Sequence, residues 1–315
     1  MNIIKTQRHP LKFYAILAFG FLFLLALGSF MIFIGLENEP NEQAESKRII
    51  MPIFGCIICL LAIWMVYSYW KNSPKITIDG NNLKIGKETF RLNSIKDVIL
   101  TGKMPFRFII NFPMEGTAIL FNDGRDKILF DDMYLNSYEV KSFLEQVIIK
   151  KQQFKINEPK KVTSSELRFE NIEIFKGNQF TSLRGISLWG LFGVFTFMLI
   201  IKETNLKLGD VIFFCLFGTF WFVLHSWLMH YFGLTKDFLI IRNHNFIWRE
   251  IIYNYSDIKE VVFESQGKQP NCMRVITNDF RNKLYPAGTL RDKTWLEMKK
   301  KLEVKGVKVR NECIY

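Results

Sequence analysis

Histidine and cysteine are sparse in this chain, and neither is clustered. The four histidines, His9, His225, His230 and His244, are spread through 315 residues, and none sits at ligand spacing from another His or a Cys. A zinc site is therefore not expected. Of the five cysteines, Cys56, Cys59 and Cys215 fall inside long apolar runs, while Cys272 and Cys313 lie in polar segments. That distribution excludes a disulfide framework and fits a reducing compartment. Cys56 and Cys59 have redox-motif spacing, but in an apolar helical stretch such cysteines are packing residues. Nucleophile and base candidates are equally thin. "GNNLKIGKET" offers Gly80 and Gly86-Lys87 as a phosphate loop, yet it is one residue too long and puts Glu88 where a Ser or Thr should meet magnesium. No Ser-His-Asp or Cys-His arrangement can be drawn. A non-enzymatic protein without cofactor is expected.

Charge is missing altogether from four stretches. Residues 13–36, 49–70 and 185–201 carry no charged side chain, and residues 211–235 are interrupted only by His225 and His230. A helix needs about 20 apolar residues to cross the hydrocarbon core. Four transmembrane helices are expected, at 13–36, 49–70, 185–201 and 211–233. A cleaved signal peptide fits the first run poorly, because it is too long and leads into the acidic "LENEPNEQAESKR" with no small-residue cleavage site. Basic residues set the orientation. The N-terminal flank, 1–12, has Lys5, Arg8 and Lys12 and no acid, whereas the first loop has four Glu against Lys47 and Arg48. An even number of spans then places the N-terminus and both large polar segments in the cytoplasm.

The polar segments repeat each other. "NSIKDVIL" at 93–100 returns as "SDIKEVVF" at 256–263. Each half begins with a short alternating stretch ("NIIK", "NIEIFK"), continues into two apolar runs, and ends in a strand-rich segment with an amphipathic helix. In the first segment, 74–150, "KITID", "NLKI", "IKDVILT", "FRFIINF", "TAILF" and "KILF" read as strands, and Asn122-Asp123-Gly124 as a hairpin turn. Ser137 can cap a helix whose Val140, Phe143, Leu144 and Val147 share a face. In the second, 236–310, "DFLIIR" and "FIWREII" flank a turn at Asn243-His244-Asn245, and Asp292 can cap a helix facing Trp295, Met298 and Leu302 inward. The repeated phrase is expected to be a core strand in both, with Ile95, Val98 and Leu100 matching Ile258, Val261 and Phe263. Residues 151–183 are expected to form a linker with a short strand, in which Glu158-Pro159 should end any preceding helix.

With these strand orders and "SIKDV" and "DIKEV" at matching places, the chain resembles the bacterial pleckstrin-homology-like (PH-like) membrane proteins, duplicated. The resemblance implies an α+β membrane protein: two copies of a transmembrane hairpin followed by a PH-like sheet closed by a C-terminal helix. It also implies a bacterial inner-membrane location and a binding or assembly role. The lysines and arginines near the first strands, Lys84, Lys87, Arg91, Arg242 and Arg249, lack the spacing that lipid-binding pleckstrin domains use for phosphates.

The remaining candidates are electrostatic. The chain carries a net charge of +12, and residues 291–310 hold eight Lys or Arg against three acids. Lys299, Lys300, Lys301, Lys305, Lys308 and Arg310 are the candidate contacts to anionic lipid headgroups or a protein partner, each worth roughly 1 kcal/mol near an anionic leaflet. The alternative is the solvated face of the last helix. Nucleic acid is not expected, since no recognition motif is present. His225, inside the fourth run, is either a residue bonded to a neighbouring helix or an intramembrane functional group. Asp131-Asp132 is expected to be solvated charge. A scaffold or interaction protein, with self-association among its options, is the expected class; a transport or export component using the helices is the alternative.

Overall fold

The computed structural model describes residues 3–37, 42–156, 171–201, 208–265, 267 and 269–314. The chain is α+β and divides into two units, Met1–Asn157 and Glu158–Tyr315.

In the first unit, strand β1 (Ile4–Lys5) pairs antiparallel with β2 (Ile76–Asp79), Ile4 opposite Ile78. Everything between them is a helical excursion. A π-helical turn (Pro10–Ala15) opens α1 (Ile16–Glu37), and α2 (Glu42–Asn72) returns. His9 starts this helix. Its Nδ1 accepts the backbone N–H of Leu11 and of Lys12, each at 3.2 Å, and Pro10 follows where a missing N–H costs nothing. Arg8 joins the two ends of the excursion: its guanidinium lies 4.2 Å from the Trp70 ring centroid and donates to the Ser73 carbonyl at 2.8 and 3.0 Å. The helices meet through glycine. A Cβ on Gly28 would lie 2.8 Å from the Gly55 carbonyl and 2.6 Å from Cys59 Sγ. Lipid tails give no hydrophobic drive between helices, so close backbone approach is what holds such pairs. Cys59 is part of that contact and Cys56 is exposed; both are free thiols.

Beyond α2, β3 (Asn82–Ile85) and β4 (Glu88–Arg91) complete a sheet of order β1-β2-β3-β4. A second sheet holds β5 (Ile95–Ile99), β6 (Lys103–Phe106), β7 (Phe112–Phe121) and β8 (Asp126–Phe130), with β7 pairing each of the others. Helix α3 (Ser137–Phe143) runs on as a π-helical turn to Ile149 and buries Val140, Phe143 and Leu144. Two expectations are corrected here. "FRFIINF" is not one strand: residues 107–111 are the loop joining β6 to β7. Ser137 is the first helical residue, and Asn136 holds the N-cap position. The Asn136 amide instead accepts from Gln7 N at 2.8 Å and donates to the Lys5 carbonyl at 3.0 Å, binding the N-terminal segment to the helix.

In the second unit, β9 (Glu173–Phe175), α4 (Leu183–Ile201) and α5 (Leu208–Trp227) lead into β10 (His230–Leu234), β11 (Phe238–Asn243) and β12 (Ile251–Asn254), giving the order β12-β11-β10-β9. The other sheet contains β13 (Ile258–Glu264), β14 (Cys272–Thr277), β15 (Asn282–Pro286) and, after α6 (Asp292–Val304), β16 (Val309–Asn311). Trp295, Met298 and Leu302 are buried on one face of α6, as their spacing requires.

The fourth run is shorter than its sequence implies. Its helix stops at Trp227, and residues 230–234 are strand β10, between β9 and β11. A central strand buried on both faces is continuously apolar, so hydropathy alone merges it with the preceding helix. "FIWREII" is corrected likewise: residues 244–250 are loop, and only Ile251–Asn254 is strand. Asn243 turns the chain out of β11, its Oδ1 accepting from the N–H of Asn245 and of Phe246, each at 3.0 Å. Asp292 begins α6, with Arg291 at the N-cap. The linker's Glu158-Pro159 lies outside the described residues.

The repeated phrase marks one local device. Register slips between Ile95 and Asp97 against β7, and between Ile258 and Glu260 against β14, so Lys96 and Lys259 are the extra residues of two β-bulges. Lys96 is exposed, and Lys259 Nζ sits 3.9 Å from the Phe280 ring centroid. Val98, Val261 and Phe263 are buried, Ile258 is buried too, and Ile95 and Leu100 are half-buried.

Among the described residues, three helices are long and apolar enough to cross a membrane: Pro10–Glu37, Arg48–Asn72 and Leu208–Trp227. The run expected at 185–201 forms a shorter apolar helix, Leu183–Met198, within α4.

Candidate functional site

The basic residues of the C-terminal segment are dispersed over α6, the turn after it and β16. Lys299 reaches Glu303 at 3.8 Å, and Lys301 reaches Glu173 on β9 at 3.2 Å. Lys305 Nζ lies 3.5 Å from the Lys236 carbonyl and 5.5 Å from the Tyr255 ring centroid. Lys308 and Arg310 both serve Glu260, at 3.3 Å each, and Arg310 also meets Glu312 at 2.8 Å. Glu260 is buried, and a buried carboxylate requires cations. Lys308 and Arg310 therefore hold β16 beside β13, where Val309 lies opposite Val261. Lys300 is exposed, with no carboxylate partner among the described residues. The ion pairs of Lys299 and Lys301 are partly solvated and contribute little. Lys299, Lys300 and Lys301 thus remain able to meet an external anion, with Lys305 beside them in sequence.

His225 is bound within its own hairpin. Its Nδ1 donates to the Trp221 carbonyl at 3.1 Å, and Nε2 lies 3.1 Å from Ser187 Oγ on α4. Trp221 Nε1 in turn donates to the Ser187 carbonyl at 3.2 Å. Around them, Phe195 packs edge-on against Phe214 and Phe217. The cluster joins α4 to α5.

Asp131 and Asp132 are not solvated charge. Asp131 is buried and meets the buried Lys141 of α3 at 2.6 Å, and Asp132 pairs with Lys12 at 2.5 Å. The acids close the first unit's core because the turn after β8 points them at cations from α3 and from the N-terminal helix. A second buried pair, Arg274 with Glu264 at 2.8 Å, spans β13 and β14. Neither pair was identifiable from sequence spacing, since the partners come from separate elements. Among the described residues, no group of three His, Cys, Asp or Glu is placed to hold a metal ion.

Two other histidines are held neutral by burial. His230 on β10 has its pKa pushed down to about 4, chiefly by burial and secondarily by Arg249, although its Nδ1 donates to the Pro286 carbonyl at 3.0 Å. His244 is likewise lowered to about 4 by burial and by Lys176. Lys84, Lys87 and Arg91 are exposed on β3, the β3–β4 turn and β4; Arg242 pairs with Glu250 at 3.2 Å, and Arg249 is exposed.

No protein-family model matches the chain, and no curated protein sequence matches it.

Proposed function

We propose that this chain is a multi-pass protein of the bacterial inner membrane, built by duplication of a transmembrane hairpin and a PH-like module, and that it acts as a scaffold. Both modules face the cytoplasm and bind a protein partner or anionic lipid; no catalysis is assigned. The observation that carries this reading is a shared architecture. In each unit a short strand precedes two apolar helices and pairs antiparallel with the first strand after them, β1 with β2 and β9 with β10. Three-stranded continuations, a bulged strand and a closing helix follow in the same order in each unit. Helix α4, at 19 residues, is about 28 Å long and close to the core thickness, which supports it as the fourth span. The contacts of His225 favour packing over a transport path.

Lys299, Lys300 and Lys301 are the proposed lipid or partner contacts. The test is hydrogen exchange of the full chain in nanodiscs. Anionic lipid should protect α6 relative to zwitterionic lipid, and both added salt and the K299A/K300A/K301A variant should remove the protection. Equal exchange in both lipids would reject lipid as the ligand; cross-linking and capture from native membranes then tests the protein partner. Thiol labelling at Asp123→Cys and Asn278→Cys tests the topology, since labelling of either from the periplasmic side refutes it.

A further inference from the structure

The loop between β11 and β12 places large apolar side chains in the open. Ile247 is 81% exposed and Trp248 is 78% exposed, although both lie in a polar unit with a well-filled core. They are not on a loose tip. Asn243, itself buried, donates to the Ser226 carbonyl at 2.7 Å, and Asn245 donates to Ser226 Oγ at 2.8 Å. The N–H of His244 reaches the Met229 carbonyl at 3.1 Å, and the N–H of Arg249 closes the turn on the Phe246 carbonyl at 2.9 Å. These backbone and amide anchors belong to the end of α5 or the residues just after it, and the His244 ring adds a contact to Thr289 Oγ1 at 3.3 Å. Phe246 goes further: its ring lies 6.4 Å from that of Phe222, five residues before the end of α5. That is about 7.5 Å along the helix axis. The loop is thus bolted beside the last turns of a helix apolar enough to span a bilayer.

We infer that residues 246–249 form a wedge that enters the lipid interface, with Phe246, Ile247 and Trp248 among the upper acyl chains and the exposed Arg249 at the phosphates. Interfacial apolar side chains sit roughly 5–10 Å into the headgroup and acyl boundary, which agrees with the level of Phe222. Trp beside Arg is the side-chain pairing that this layer favours. The occupant follows from continuity, because Phe246 packs on Phe222 of α5 and Ile247 and Trp248 stand exposed directly after it in the chain. A loop of the same character occurs in the first unit. Asn72, the last residue of α2, donates to the Arg107 carbonyl at 2.8 Å, and the loop it holds exposes Ile109 and Ile110. Each unit then has an apolar lipid contact, which in the second unit is separate from the lysines of α6.

This inference rests on α5 crossing the membrane, and the experiment separates the two claims. The native cysteines are replaced, and single cysteines at Ile247→Cys, Leu216→Cys within α5, and Asn278→Cys in the β14–β15 turn are labelled with a fluorophore in proteoliposomes. Brominated lipids should quench the labels at 247 and 216 and leave that at 278 bright. The 247 label should respond most to bromines high on the acyl chain. Quenching at 216 without quenching at 247 overturns the wedge and leaves the span intact; a protein or self-association surface would give this result. No quenching at 216 overturns both. Should the cysteine replacements prevent folding, the wild-type chain and Trp248→Phe are compared by tryptophan emission. The component lost with Trp248 should be blue-shifted and lipid-quenched, and a red-shifted, unquenched component overturns the wedge.

Discussion

Removing one member of the Asp131–Lys141 pair should destabilise the first unit far more than removing both. The two charges lie 2.6 Å apart with neither side chain exposed. At an effective dielectric constant near 20 their attraction is about 6 kcal/mol. Desolvating the two ions costs several kcal/mol each, so the pair as a whole contributes little net stability. Lys141→Met keeps all but the last heavy atom of the side chain and removes the cation that Asp131 meets in the core. The expected loss is about 3–5 kcal/mol. In a unit of this size each kcal/mol moves the melting temperature by about 2–4 °C. The double variant Asp131→Leu/Lys141→Met removes both charges and should recover most of that loss. The assay is thermal unfolding of the full chain in nanodiscs, with proteolysis across residues 100–150 to assign the transition to the first unit. A double variant as unstable as Lys141→Met would refute the reasoning, because the loss would then come from packing and not from a stranded charge.

The second unit should weaken in mild acid. His230 binds its proton near pH 4 when folded and near 6.5 when unfolded, so the unfolded state holds more protons between these values. The His230 contribution is therefore complete above pH 6.5 and falls by about 3 kcal/mol as pH drops toward 4; His244, also lowered to about 4, adds a similar loss, so His230→Gln should remove about half of the dependence and His230→Gln/His244→Gln should flatten it, in denaturation midpoints measured at pH 7.5 and pH 5. Gly55→Leu should disrupt the first hairpin, since a Cβ there meets the Gly28 carbonyl at 2.5 Å and Ile32 at 2.6 Å. The expected overpacking cost is about 1–3 kcal/mol, and Gly190→Leu, which meets nothing within 4 Å, should melt as wild type. Trp295→Ala should cost about 3–5 kcal/mol in the second unit, because the ring is fully buried against Phe232 and Phe263; a loss under 1 kcal/mol by chemical denaturation would show that α6 does not close that core.

Periodicity carried the reading of the fold as far as periodicity reaches. Residues such as Trp295, Met298 and Leu302 declare a buried helix face because the 3.6 repeat is local, and the strands at 95–99 and 258–264 declare themselves because a similar phrase occurs at both places. The misread segments share one physical cause. Apolar character at 230–234 came from a doubly buried strand, and at 246–248 from a loop that half-buries Phe246 and exposes Ile247 and Trp248, yet the sequence writes both as it writes membrane helix or strand. Charge was harder still. Asp131 reads as solvent-facing until Lys141 is placed beside it, and Arg310 reads as a free cation until Glu260 is found buried 50 residues away. An acid or a base has no sequence signal for its partner when strand and helix must first assemble to bring them together. The basic cluster at the C-terminus is accordingly two things: Lys308 and Arg310 neutralise the fold's own buried carboxylate, and Lys299, Lys300 and Lys301 are what remains for a surface outside the protein. Any anionic ligand must therefore compete only with the weak, solvated pairs of α6, and its binding should leave β16 in place against β13.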